Sequence, residues 1–289
     1  MNKIKNNESD TQSIDPVSPR IPERYVKVTK ELILEKSLPV HRISVLTYID
    51  YNQTWDEMVH YSPIYMIQWC GYKPNWRKGK RENIYDKFLN CMNWFYENGY
   101  LINFDSKNYI QNNFQTSLLN MEKILPEGNF GVIYDFEIDA IMNYQSTYKP
   151  LNKSIILLVL AYVRAFTWIR PTLKTGFTID SKKDKPEIFS SQFESMETQI
   201  GVSSRLISKA TRVLEQLGII KTYRMPSYQD KEGVWHTDDL IYVCPYKIVY
   251  ENGNFRLCDE EEYSWKKEME YGTLFLRQLK YVSKKFYQD

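Results

Sequence analysis

The stretch from Met196 to Cys244 limits this chain more than any other. It reads METQIGVSSRLISKATRVLEQLGIIKTYR from Met196 to Arg224, then a polar loop, then LIYVC from Leu240 to Cys244. Ser203 is a good N-cap, because a hydroxyl can accept from the free amides of a first helical turn. Ile207, Ala210, Leu214 and Leu217 recur at helical spacing and mark an inward face. Gly201 marks a turn before this helix, and Gly218 ends it where a left-handed residue is usually needed. Ile219–Met225 and Leu240–Cys244 are rich in β-branched and aromatic residues and read as a two-stranded ribbon. A short helix, a turn, a second helix and a ribbon make a winged helix-turn-helix unit, whose second helix is shaped to enter a DNA major groove.

The outward face of that second helix carries Ser204, Arg205, Ser208, Lys209 and Arg212, with Ser203 at its start. Small hydroxyls let a helix approach a groove floor, and the arginine fork can bond guanine edges. Lys209 and Arg212 suit phosphates better. Residues 200–225 hold five basic side chains against one acidic, a local charge of +4. The competing reading is a solvated face with ordinary basic residues. The agreement of turn, cap, stop and ribbon favours DNA contact. The loop from Pro226 to Asp239 is the expected wing, with Lys231, Trp235 and His236 as contact candidates. Trp235 packing on its own hairpin stands beside that reading.

The first half repeats this grammar. Phe95–Ile102 lines up with Leu214–Lys221, and Gly71 lines up with Gly201. Gly71 to Gly99 spans 28 positions and Gly201 to Gly218 spans 17, so the first copy carries a longer insertion between its helices. That insertion holds Lys73, Trp76, Arg77, Lys78, Lys80 and Arg81 and no acid. It can grip phosphates, with Trp76 stacking or wedging; it can equally be a solvated loop with Trp76 over the core. Glu82–Glu97 follows as the longer helix, with Ile84, Phe88, Cys91, Met92 and Phe95 inward. Its outward Lys87 and Asn90 are poorer groove readers than the Arg205 set.

The expected fold is therefore mainly α with small β-ribbons (α+β), built of tandem winged helix-turn-helix domains. Residues 1–24 are polar with three late prolines and are expected as a disordered N-terminal arm. The first domain is expected over 25–125 and the second over 126–258, each able to bury a core. Within them, 105–128 reads as a linker with some helical pattern around Leu118–Ile124. Leu151–Arg170 reads as an apolar central helix capped by Asn152. The tail 259–289 is expected as a C-terminal helix, docked on its own domain rather than paired with another copy.

Composition limits the chemistry. Of the 289 residues, 43% are hydrophobic and 15% aromatic, so the chain is globular. Its net charge of +2 means that any grip on nucleic acid comes from local patches. Cys70, Cys91, Cys244 and Cys258 lack paired metal-ligand spacing and read as buried thiols in a reducing, cytoplasmic setting. The most apolar stretch, Ile155–Val163, is too short for a membrane span. The three histidines, His41, His60 and His236, form no ligand pair. No Gly-rich phosphate loop is present. Asp135, Glu137 and Asp139 alternate as ligands on a strand would, yet they suit the first turn of a helix better. No catalytic residue, metal or cofactor is expected, and the chain reads as no enzyme.

Leu151–Tyr162 and Ile200–Ile219 together resemble plasmid and phage replication initiators of low-GC Gram-positive bacteria, the RepA_N-type or replisome-organiser-like group with tandem winged-helix domains. The resemblance covers a small part of the chain. It implies a sequence-specific double-stranded DNA-binding protein that engages repeated origin sites and host replication proteins, with self-association as a further property. Two rivals use the same residues: a winged-helix transcriptional regulator of a mobile element, and a protein-interaction module without DNA affinity.

Overall fold

In a computed structural model, the chain is a mixture of helix and strand. The structure describes residues 16–54, 56, 58–75, 83–110, 113–120, 123, 130–145, 151–169, 185–225, 228–229, 235–236 and 240–285, with 228–229, 235–236 and 277–285 described by their backbone. The helices are α1 (Lys30–Leu34), α2 (Arg42–Tyr51), α3 (Pro63–Trp69), α4 (Ile84–Glu97), α5 (Asp135–Asn143), α6 (Lys153–Phe166), α7 (Phe193–Ile200), α8 (Ser204–Gln216) and α9 (Trp265–Lys285). The strands are β1 (Tyr25–Thr29), β2 (Met58–Tyr61), β3 (Leu101–Ile102), β4 (Gln115–Leu119), β5 (Phe130–Tyr134), β6 (Phe189–Ser191), β7 (Lys221–Arg224), β8 (Tyr228–Gln229), β9 (Trp235–His236), β10 (Leu240–Val243), β11 (Ile248–Glu251) and β12 (Asn254–Leu257).

One arrangement occurs twice. In the first half α2, β2, α3, α4, β3 and β4 follow in order, and the sheet runs β2-β4-β3. In the second half α6, β6, α7, α8, β7 and β10 follow in order, and the sheet runs β6-β10-β7. In each, the last strand enters between the other two, and every pairing is antiparallel. The expected linker over 105–128 is corrected at Gln115–Leu119, while Lys123, within the expected helical pattern around Leu118–Ile124, is helical. Gln115–Leu119 is the middle strand of the first sheet, not the start of a helix. Ser117 and Leu119 alternate inward, and pairing with β2 and β3 outweighs local helical pattern.

The central helix α6 is capped by Asn152, whose side chain accepts from the Ser154 amide. Its buried residues run almost without interruption from Ser154 to Val163. A helix apolar on every side must be wrapped on every side. Here α2 and α8 pack against it from the two halves, and β5 crosses it closely. At Gly131 in β5 an added Cβ would lie 2.8 Å from the Ala165 amide nitrogen and 2.9 Å from the Ala161 carbonyl oxygen, so only glycine allows this approach. β5 pairs with β1, which precedes the whole first half, in full five-residue register. One hydrophobic cluster consequently runs from Val26 through Phe88 and Leu158 to Leu214 and Tyr242. The two repeated units share a core.

The expected disordered arm over 1–24 is corrected at residues 16–24, while residues 1–15 lie outside the described residues. Residues 16–24 form a strap: the Val17 amide donates to the Leu217 carbonyl at 2.9 Å, and Arg20 pairs with Asp135 at 3.2 Å. The Glu23 amide donates to the same carboxylate, and Arg24 donates to the Tyr51 carbonyl at 2.7 Å. At the other end, α9 lies on the outer face of the second sheet, where Trp265, Met269 and Leu276 cover Ile188, Met225, Ile241 and Val243. That is docking on its own domain.

Two polar devices join the halves. Arg42 is 1% exposed, and its guanidinium donates to the carbonyls of Leu32 (3.0 Å), Ile33 (2.8 Å), Leu38 (3.4 Å), Pro39 (3.2 Å) and Ile200 (3.2 Å). The acceptors include the ends of α1 and α7, where carbonyls lack helical partners and attract a cation. Burial brings this guanidinium down to about 10, which leaves it charged at neutral pH. The second device centres on the buried Ser154 hydroxyl, which bonds Ser44 Oγ (2.7 Å), Tyr72 OH (2.7 Å) and His41 Nδ1 (3.2 Å).

Truncating Arg42 to Ala removes five hydrogen bonds to carbonyls, of which those of Leu32 and Pro39 keep a backbone N–H partner, and should destabilise the fold by about 3 kcal/mol. Urea titration measures this; a change below about 0.5 kcal/mol would show the clasp to be dispensable. His41 gives a pH signature. Burial and then the nearby Lys87 push its imidazole from 6.5 down to about 4. The unfolded chain takes the proton first, so His41 favours folding above about 6.5, and this is lost as pH falls towards 4. The urea midpoint of wild type should therefore fall faster over that window than that of His41→Gln.

Candidate nucleic-acid interface

Helix α8 forms because its apolar positions repeat at helical spacing and its ends are well marked. Ile207, Ala210 and Leu214 are fully buried, and Leu217 is 3% exposed. Gly201 closes α7 in the left-handed region at φ 72°, with open space around it, and Gly218 follows α8 at φ 70°. α7 and α8 thus meet at a tight turn, with α8 packed on α6. The opposite face of α8 is turned outward. Arg205, Lys209 and Arg212 are exposed, and Ser204 and Ser208 are half-buried. Among the described residues, none of these three cations stands in an ion pair. The acid of the same helix, Glu215, is turned away and accepts from the Thr222 amide at 3.1 Å and from its hydroxyl.

Ser203 sits at the N-cap position as expected, yet its side chain makes no cap bond. The expectation that its hydroxyl caps the helix is corrected: Glu197, on the last turn of α7, reaches forward and accepts from the Ser204 amide at 2.8 Å. The carboxylate satisfies the first free amide and meets the positive end of the helix dipole, while the Leu206 amide is taken by the Ser203 carbonyl at 2.8 Å. Ser203 is left exposed. Sequence reading missed Glu197. The signal for it was an acid four residues before a turn glycine.

The next element, β7, carries further basic side chains. Arg224 is exposed, Tyr223 is 39% exposed, and Lys221 is half-buried. β7 leads into the segment expected as a wing, where Tyr228↔His236 and Gln229↔Trp235 pair as β8 and β9. Trp235 and His236 are thus on a ribbon, with their side chains outside the described set, and Lys231 lies outside the described residues.

The first unit presents a different surface. α4 begins with a reciprocal capping box between Asn83 and Asp86. Phe88, Cys91, Met92 and Phe95 are fully buried as expected, while Ile84 is half-buried. Its outer positions are Asp86, Lys87, Asn90, Tyr96 and Glu97, which together carry more acid than base. Lys73 is exposed at the start of the basic insertion. Trp76, Arg77, Lys78, Lys80 and Arg81 lie outside the described residues.

The acidic cluster opens α5. Asp135 accepts from Arg20 and from the Glu23 amide. Glu137 accepts from the Tyr134 amide at 2.9 Å, from Arg164 and from the Tyr246 hydroxyl. Both carboxylates have protein donors, and among the described residues no group of three or more His, Cys, Asp or Glu is placed to hold a metal ion. None of the four cysteines forms a disulfide, and burial pushes the Cys244 thiol up to about 11. Among the described residues no helix is long and apolar enough to cross a membrane. No family model matches the chain, and a search of curated proteins finds no relative.

The cap assignment is testable by thermal or urea denaturation. Glu197→Ala should cost about 0.5–1 kcal/mol. Ser203→Ala, which removes no cap bond, should stay within about 0.5 kcal/mol of wild type. The reverse ranking would return the cap to Ser203.

Proposed function

We propose that this chain is a tandem winged-helix protein that binds double-stranded DNA in a sequence-specific way, with α8 as the helix that enters the major groove. The observation that carries the reading is the outward face of α8. Three exposed cations stand on one side of a helix whose other side is fully packed, at the end of a tight turn and beside a ribbon. A rigid helix with small hydroxyls near its start and cations along its length fits a groove floor between two phosphate walls. Arg205, in the first turn, is placed for base edges, and its planar fork matches guanine O6 and N7. Lys209, Arg212 and Arg224 are exposed and suit phosphates.

The reading extends to replication initiation at a plasmid or phage origin through the sequence resemblance alone. A winged-helix regulator of a mobile element uses the same surface on a promoter. Fragments of the neighbouring genome selected by the protein decide between them: clustered repeats at an origin support initiation, and a promoter operator supports regulation.

The DNA reading has a direct test in fluorescence anisotropy with labelled duplexes across a salt series. Affinity should fall steeply with salt, and Arg212→Ala should weaken selected and random duplexes alike while lowering the slope of log K against log salt by about 0.9. Arg205→Ala should instead reduce discrimination between selected and random duplexes by about 1–3 kcal/mol. If no duplex binds at low salt, the surface serves protein contact, and the proposal fails.

A further inference from the structure

We infer that Glu197 is a specificity-determining residue of the α8 interface, a fixed carboxylate that selects a base-edge amino group and rejects phosphate. This rests on the reading of α8 as a groove helix. It adds a residue outside that helix, of the sign opposite to the rest of the surface.

The geometry is specific to one carboxylate. Glu197 belongs to α7, is exposed, and lies beyond the Gly201 turn from α8. One oxygen, Oε2, is held at 2.8 Å by the Ser204 amide. That bond fixes the carboxylate against the first turn of α8, the part of such a helix that meets base edges. Glu197 forms no ion pair with Arg205 among the described residues. Two opposite charges therefore stand unneutralised at one helix tip. Ser203, relieved of capping, is exposed beside them.

Each of these groups reads a different pattern. Arg205 donates only, and so selects acceptors such as guanine O6 and N7. An ionised carboxylate accepts only, and so selects the N4 amino group of cytosine. Against a phosphate the two differ more sharply: Arg205 is attracted and Glu197 repelled. On random DNA, where a basic face slides along phosphates, Glu197 is a standing cost. On the correct site its free oxygen meets a donor, and the cost is offset. Discrimination thus comes partly from penalising wrong contacts. From the sequence, the cap falls to Ser203, and the local charge of +4 over residues 200–225 leaves Glu197 out, so this residue has no role there.

The variant that isolates the charge is Glu197→Gln. The amide keeps an oxygen for the Ser204 N–H and loses the negative charge, so the cap and the fold remain; an unchanged melting temperature checks this. Wild type, Glu197→Gln and Arg205→Ala are compared by anisotropy at low salt. The probes are a duplex selected by wild type from a random library and an unselected random duplex. Glu197→Gln should bind the random duplex about fivefold more tightly, because one repulsive charge near phosphates is gone. Its selected-over-random ratio should fall about tenfold. Repeating the selection with the variant should relax a cytosine position that wild type requires. If Arg205→Ala lowers the ratio while Glu197→Gln leaves both the ratio and the selected sequence unchanged, the Glu197 inference is overturned and the α8 reading survives. If wild type binds no duplex at low salt, the α8 reading itself is wrong, and Glu197 has no DNA to select.

Discussion

The burial of α6 on all sides is the constraint from which the rest of the architecture follows. Its side chains from Ser154 to Val163 leave no face for water, so no single layer can cover it. The second unit covers part of it with α8. The remainder is closed by α2 from the first unit and by β5, pressed close enough to require Gly131. Pairing of β5 with β1 then ties the start of the chain to its middle. A helix hydrophobic at nearly every position thus converts two repeated units into one body with a common core.

A shared core creates polar junctions that must be satisfied internally, because a buried donor or acceptor without a partner costs about 1–3 kcal/mol. Arg42 supplies donors to carbonyls from α1, from the following loop and from the end of α7. Ser154 collects hydroxyls from α2 and from the segment after α3. Glu137, Arg164 and Tyr246 close a third junction between α5, α6 and the segment after β10. The first two of these junctions sit where the halves meet; the third braces the second half from within. The turn between α7 and α8 lies next to the Arg42 contact at Ile200, so the placement of the basic helix depends on the junction as well as on its own unit.

The distribution of charge follows from this packing. The chain as a whole carries only +2, yet Arg205, Lys209 and Arg212 all fall on the one face of α8 that packing leaves free. Glu215 is drawn away to Thr222, and Glu197 is drawn to the start of the helix. One acid leaves the basic face and one is installed at its tip. On the proposed reading, that placement separates a generally sticky cationic helix from one equipped to discriminate.

Sequence alone determined the elements whose signals are local. The inward face of α8, the turn at Gly201, the stop at Gly218, the Asn152 cap and the central helix are written in spacing and in single residues. The repeat of helix, turn, helix and ribbon was legible for the same reason. Even one local signal went unread: Asn252-Gly253, at φ 52° and 82°, is the tight turn of the β11–β12 hairpin. Tertiary structure decided what depends on partners far apart in the chain. β1 pairs with β5 across about a hundred residues, and β4 is a strand because β2 and β3 flank it. Neither has a pattern strong enough to declare itself. The N-terminal strap and the reach of the Arg42 guanidinium to Ile200 belong to the same class. Apolar periodicity tells a segment which side to bury; only the folded chain brings a particular donor within hydrogen-bonding distance of a particular acceptor.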